Sequence, residues 1–223
     1  IRNMNTKSIK VTAVAVVFGK RWSLLKQVLD VVLQDDKIAK FIIVDNGCKD
    51  KEAMDQEVIM RGSDRLIILR QEKNVGYSPA IARGLDFART TDCDYVFVLD
   101  DDCVPEKGAI DMFLNNLKLF PDNKVVLAAN RVNVPGYKEI FHKRTSKTVD
   151  PKGTIFEVFS FKKIANLFRL ILNKKEKFNG PFVPLIPTEA FVTGGSFIPI
   201  EAVREAPLPD ASLLMYGEDL QYA

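Results

Sequence analysis

Along the first part of the chain, short unbroken apolar runs alternate with segments whose apolar residues recur every three or four positions. Val11 to Phe18 is such a run, and from Arg21 to Gln34 the residues Trp22, Leu25, Val28, Leu29, Val32 and Leu33 share one helical face. Phe41-Ile42-Ile43-Val44 repeats the strand signal and ends at Asp45-Asn46-Gly47, and Leu66-Ile67-Ile68-Leu69 repeats it again before Asn74-Val75-Gly76. Ser78 is suited to cap a helix with Pro79 at its first position, and Ile81, Leu85 and Ala88 then fall on one face. Tyr95 to Leu99 forms a fourth run, Ile110, Phe113, Leu114 and Leu117 mark a helix after Pro105, and Val125-Val126-Leu127 reads as a further strand. Strand and helix in alternation predict an α/β fold in a single domain: a Rossmann-like, mostly parallel sheet flanked by helices on both faces.

From Val132 to about Thr188 this order loosens, broken by Pro135, Pro151, Pro181, Pro184 and Pro187, with a strand signal at Thr154 to Phe161. Here Ile164, Leu167, Phe168, Ile171 and Leu172 line one face of a short helix that carries Lys162, Lys163 and Arg169 elsewhere. Such a basic amphipathic helix either lies on a membrane surface or packs on its own domain. Regular signals resume at Phe191-Val192-Thr193 before Gly194-Gly195. The pattern divides into a regular half, 1–130, and a looser half, 131–223, with a basic insert at about 138–177.

Charge sharpens that division. The whole chain is +3, but Lys138 to Lys177 holds eleven Lys/Arg and four Asp/Glu, a net of +7, which leaves −4 for the remainder. A basic segment beside an acidic body fits contact with an anionic partner such as phospholipid headgroups, or a solvated face. With 223 residues, 47% hydrophobic and 27% charged, the chain can bury one substantial core. No run approaches the ~18 to 20 apolar residues of a membrane span, and Ile1 to Asn5 lacks the apolar centre of a signal peptide. Cys48, Cys93 and Cys103 have no metal-binding spacing and suit packing in a reducing compartment. Cytoplasmic localisation, with peripheral contact at the inner face of the plasma membrane, is the expectation.

The strongest chemical signal is Asp100-Asp101-Asp102, which closes the fourth apolar run. A single Asp commonly ends a strand at a turn, but three adjacent like charges call for a cation. Oxygen-only ligands suit Mg²⁺ or Mn²⁺, which leave coordination positions to substrate phosphates. The carboxyl ends of the strands are also where open α/β sheets bind ligands, and Asp45 reaches the same edge from the second strand. Asn74-Val75-Gly76-Tyr77-Ser78 enters a helix N-terminus, a setting for an anion or simply for a cap. His142, the only histidine, lies in the basic segment away from these motifs.

In this order and spacing, the motifs resemble the family 2 glycosyltransferases with the GT-A fold. The matching stretches are Val11 to Phe18, Phe41 through Asp45-Asn46-Gly47-Cys48-Lys49-Asp50, Asn74-Val75-Gly76 through Ala82-Arg83-Gly84, Val98 through Pro105, Gly194-Gly195 and Gly217-Glu218-Asp219. The resemblance implies that Asp45 contacts the nucleotide base, flanked by Arg83 and the Asn74–Gly76 loop, and that Asp100 holds the ribose. It implies Mn²⁺ or Mg²⁺ on Asp102 with Asp100, donor contacts from Asp101, Gly194 and Gly195, and Asp219 as catalytic base with Glu218 as its competitor. Cys48 stands where the family often has Ser, and Ile81-Ala82 replaces a common Arg-Asn pair. Arg83-Gly84 is nearer the galactofuranosyl- and rhamnosyltransferase-like branches. The chain ends four residues after Asp219, as a C-terminally truncated member would.

The expected function is inverting, metal-dependent transfer of a hexose from a nucleoside-diphosphate sugar, UDP-linked by preference, to a hydroxyl of a glycan or lipid-linked acceptor in surface polysaccharide synthesis. A sugar-nucleotide nucleotidyltransferase is the alternative enzyme, though after the first strand only Phe18-Gly19-Lys20-Arg21 stands where it needs a Gly-rich, basic triphosphate loop. A non-catalytic nucleotide-sugar-binding module is the other alternative. Nucleic acid is not an expected partner, because no aromatic stacking platform accompanies the basic residues.

Overall fold

In the computed structural model the chain divides into two compact units, Ile1–Ala129 with Ala190–Ala223, and Asn130–Glu189. The structure describes residues 8–61, 64–120, 125–129, 185 and 193–212. Apart from Leu185, all of these belong to the first unit. The basic insert with its expected helix and strand, His142, Phe191-Val192, Glu218 and Asp219 lie outside the described residues.

The apolar runs become β1 (Val11–Gly19), β2 (Ile38–Cys48), β3 (Leu66–Gln71) and β4 (Tyr95–Leu99). β1 is central, parallel to β2 on one side and to β4 on the other, and β3 extends the sheet beyond β2. Residues 11–17 of β1 and all of β4 are buried, as strands covered on both faces must be. α1 (Trp22–Val32) lies against β1 and buries Trp22, Leu25, Val28, Leu29 and Val32, the face that the periodicity marks out. α3 (Tyr77–Ala88) crosses β1 and β2, setting Ala80, Ile81, Leu85 and Ala88 against Val14, Val16, Ile42 and Val44. Gly84 permits the close crossing, since a Cβ there would lie 2.6 Å from Val14 Cγ1 and 2.9 Å from Val44 Cγ2.

Several features differ from the sequence expectation. β2 does not end at Asp45 but runs on to Cys48, because its polar residues find partners within the sheet edge: Asp45 pairs in register with Arg70 of β3, and its Oδ1 accepts the Cys48 N–H at 2.7 Å. α2 (Lys51–Arg61) has no apolar stripe to announce it and buries only Met54 and Glu57. α3 starts at Tyr77 after Gly76 (φ 97°), so Pro79 sits within the first turn, where its missing N–H costs nothing. Ser78 caps nothing; its hydroxyl is buried and donates to the Asp210 carbonyl at 2.7 Å.

The remaining elements complete the sheet. α4 (Ala109–Leu117) buries Ile110, Phe113 and Leu117. The strand expected at Val125–Leu127 is confined to β5 (Leu127–Ala128), and β6 (Ser196–Pro199) follows the glycine pair, leading into α5 (Ile200–Glu205). β6 is antiparallel to both β4 and β5, giving the order β3-β2-β1-β4-β6-β5. Phe197 of β6 stacks on Tyr95 (4.8 Å between centroids) and on Phe113 of α4 (5.0 Å), while Phe97 meets Phe113 edge-on at 5.6 Å. This aromatic cluster fixes β6 and α4 on β4.

A candidate donor crevice at the strand ends

Chain order reverses at β1, with β2 on one side and β4 on the other, so the crevice of an open α/β sheet opens beyond the carboxyl ends of β1 and β4. Pairing between those strands ends at Ala15 with Leu99, after which β1 runs on while the chain after β4 turns away. The space between holds a cavity of about 210 Å³ lined by Val16, Phe18, Arg21, Tyr77, Asp100, Asp101 and Asp102. Its walls therefore come from the end of β1, the turn after β4 and the first residue of α3.

The acidic triplet is a turn whose three side chains lie in different surroundings. Asp100 is half-buried, Asp101 is buried and Asp102 is exposed. Arg21, at the junction of β1 and α1, binds Asp101 with a two-pronged fork: Nε donates to Oδ2 and Nη2 to Oδ1, both at 2.7 Å. Nη2 also donates to Asp102 Oδ2 at 2.7 Å. These bonds, that to Asp101 foremost, raise the Arg21 pKa beyond its already high value, and the guanidinium lies 5.3 Å from the centroid of the Phe18 ring. The repulsion among the carboxylates is thus offset in part by a cation of the chain itself. Sequence reading noticed Arg21 as part of the loop after β1 and as the start of the following helical segment, since no spacing rule links it to a triplet eighty positions on. Asp101, expected among the donor contacts, has its carboxylate turned inward onto Arg21.

Asp100, Asp102 and Cys103 bring one donor atom each within 4.8 Å of one another. Asp102 Oδ1 accepts the Cys103 thiol at 3.6 Å. A pair of carboxylates facing one cavity fits an oxygen-seeking divalent ion, whereas a thiol is the softer donor. Asp100 and Asp102 are accordingly the residues that could hold Mn²⁺ or Mg²⁺. Cys48 and Cys93, by contrast, are buried packing residues, and burial pushes the Cys48 thiol pKa up.

A second group gathers at the ends of β2 and β3. Asp45 is fully buried, and its Oδ2 accepts Arg70 Nη1 at 2.8 Å; Arg70 also pairs with Asp55 of α2. Arg83 of α3, exposed, donates to the Arg70 carbonyl at 2.7 Å. Asn46 binds the loop before α3 from both ends of its amide: Oδ1 accepts the Val75 N–H at 2.9 Å, while Nδ2 donates to Asn74 Oδ1 at 3.0 Å and to the Gly76 carbonyl at 2.9 Å. Asn74 Oδ1 in turn accepts the Gly76 N–H at 2.9 Å. Gly47 (φ 75°) lies so close beneath that a Cβ would be 2.7 Å from the Asn74 nitrogen. Asp45 of β2, the loop holding Asn74 and Gly76, and Arg83 of α3 are therefore linked through Asn46 and Arg70, with Gly47 beneath the loop, a framework that sequence reading missed. The Asn-Gly pair was the available signal; nothing in the pattern singled out Arg70.

Gly194-Gly195 arrives from the other side. The Gly195 N–H donates to the Val98 carbonyl at 2.7 Å and its carbonyl accepts the Ala129 N–H at 2.8 Å, so the turn is fastened beside the last residues of β4. Gly195 holds φ 91°, and a Cβ would lie 3.3 Å from that of Ala129. Thr193 Oγ1 lies 3.4 Å from Tyr77 Oη, linking this turn to the wall of the cavity. Among the described residues no helix is long and apolar enough to cross a membrane.

Comparison with solved structures gives two crystal structures of S. aureus TarS, both with a TM-score of 0.59 and both matched over 96% of this chain. Identity is 13% with the first, of which this chain covers 32%, and 15% with TarS 1-349, of which it covers 54%. The chain thus spans about a third to about half the length of these proteins. Mannosyltransferase PcManGT from Pyrobaculum calidifontis, in complex with GDP-Man and Mn²⁺, is similar over 61% of this chain and 39% of its own, at 16% identity and a TM-score of 0.48. No curated protein matches the sequence. The likeness to TarS establishes the GT-A arrangement of sheet and helices that the motif order implied. The family model for glycosyl transferase family 2 matches residues 13–183, a stretch that takes in the cavity-lining residues at the ends of both central strands. With more than half of its residues matched, the chain belongs to glycosyl transferase family 2.

Proposed function

We propose that the protein is a metal-dependent, inverting glycosyltransferase that moves a hexose from a nucleoside-diphosphate sugar, a UDP-sugar by preference, to a hydroxyl of a glycan or lipid-linked acceptor. The observation that supports this most is the convergence of Asp100 and Asp102 on one cavity at the reversal point of the sheet, beside the Asp45–Asn74–Arg83 group. Asp100 and Asp102 would hold Mn²⁺ or Mg²⁺, which when bound supplies positive charge for the departing diphosphate. Asp100 also serves as the ribose contact in this reading.

The chain's own groups do the orienting. Asn46 holds the Asn74–Gly76 loop in one shape, setting it near Asp45 and Arg83 on the nucleoside side of the donor. Gly194 and Gly195, fastened to β4, keep the sugar side clear of side chains. Inversion requires a base on the face opposite the leaving group; Asp219 takes that role, with Glu218 as competitor, and such a base commonly contributes about 10²- to 10⁴-fold. The basic segment 138–177 provides the contact with an anionic membrane surface where a lipid-linked acceptor resides.

Calorimetric titration of the chain with UDP, GDP and dTDP, each with and without Mn²⁺, tests this. UDP is expected to bind in a Mn²⁺-dependent manner, and Asp102→Ala to abolish the metal-dependent part. Failure of every diphosphate to bind removes the proposal.

A further inference from the structure

Arg21 carries an inference that rests on the metal-binding reading of Asp100 and Asp102 and goes beyond it. Its three bonds to the acidic turn are of two kinds. The fork on Asp101 joins a side chain that is 7% exposed to one that is 31% exposed, so this pair is largely shielded from water. The third bond reaches Asp102, whose side chain is 50% exposed at the cavity. A shielded, two-pronged pair is hard to break because it would strand a buried carboxylate, whereas an exposed single contact competes poorly with other cations. The same Nη2 serves both carboxylates, so losing the Asp102 contact leaves the fork complete.

We propose that Arg21 is a resident counter-cation: it positions the acidic turn permanently through Asp101 and yields Asp102 to the incoming divalent ion. In the metal-free protein Arg21 keeps Asp102 close to Asp100 against their repulsion. When an ion takes the Asp102 oxygen, one Nη2 hydrogen bond is given up without the turn losing its anchor, and the guanidinium stays at the cavity wall as a second positive charge. Arg21 is a positioning residue in this account.

The test is a Mg²⁺ titration of the wild-type chain followed by side-chain guanidinium NMR, with Arg21→Lys assigning the resonances and calorimetry measuring ion uptake independently. The Arg21 Nη2 signal is expected to shift along the calorimetric binding curve while the Nε–H signal persists, held by Asp101. In a second measurement, Arg21→Lys keeps a charge for Asp101 but lacks the planar fork that spans both carboxylates. It is expected to bind Mn²⁺ about two- to fivefold more tightly than wild type, the size of an exposed competing contact. An Nη2 signal that stays fixed while calorimetry shows Mg²⁺ saturating overturns the exchange, as does loss of the Nε–H signal. Absence of any ion uptake by the wild-type chain overturns the metal reading itself, and the exchange with it.

Discussion

Gly47 shows how much one position can decide. Its φ of 75° and the 2.7 Å separation between a Cβ at this position and the Asn74 nitrogen mean that Gly47→Ala meets both backbone strain and a collision with main chain that cannot step aside. We expect it to cost about 1–3 kcal/mol in urea unfolding. It should also weaken nucleotide binding, whereas an alanine exchange at exposed Gly108, which has open space around its Cβ position, should leave binding unchanged. The Asn46-Gly47 pair was visible in the sequence as a turn. Its real work, supporting a loop nearly thirty residues away, was not, because a hydrogen bond between loops leaves no periodicity. The acidic triplet was legible for the opposite reason: three like charges ending an apolar run have few bland explanations.

Helices declare themselves in sequence when an apolar stripe holds them, and α2 is held differently. Its Glu57, buried, accepts Lys26 of α1 at 2.6 Å and its own helix's Arg61 at 2.7 Å, and Arg61 reaches Asp30 of α1. Ion pairs thus fasten α2 to α1 while Ile59 and Met60 face solvent, which is why the 3.6-residue signal is missing. The Lys26 hydrogen bond, then that from Arg61, lowers the Glu57 pKa from its ordinary value of 4.5. A carboxylate lowered in the folded state stabilises fully above its unfolded pKa, and that contribution disappears as pH falls through the folded value. Urea midpoints at about pH 6 and about pH 3.5 should therefore differ less in Glu57→Gln than in wild type. An equal difference in both proteins would show that the pair contributes nothing.

For the molecule as a whole, the parallel core was readable because each strand is an unbroken apolar run between turn signals, and the crevice followed from where such runs end. β6 was not, since four residues after a glycine pair carry too short a pattern to announce pairing with β4. Yet Phe197 sits at the centre of the aromatic cluster, fully buried. Phe197→Ala should cost about 3–5 kcal/mol by chemical denaturation and loosen the turn at Gly195. β6 also pairs with residues about a hundred positions earlier in the chain, the most distant partnership in the sheet. A nascent polypeptide consequently exposes one flank of β4, with its ladder groups unsatisfied, until that late segment emerges from the ribosome and inserts between β4 and β5. Among the described strand pairings, the β4–β6 seam is therefore the last to close during biosynthesis, and arrest before it forms would invite edge-to-edge aggregation.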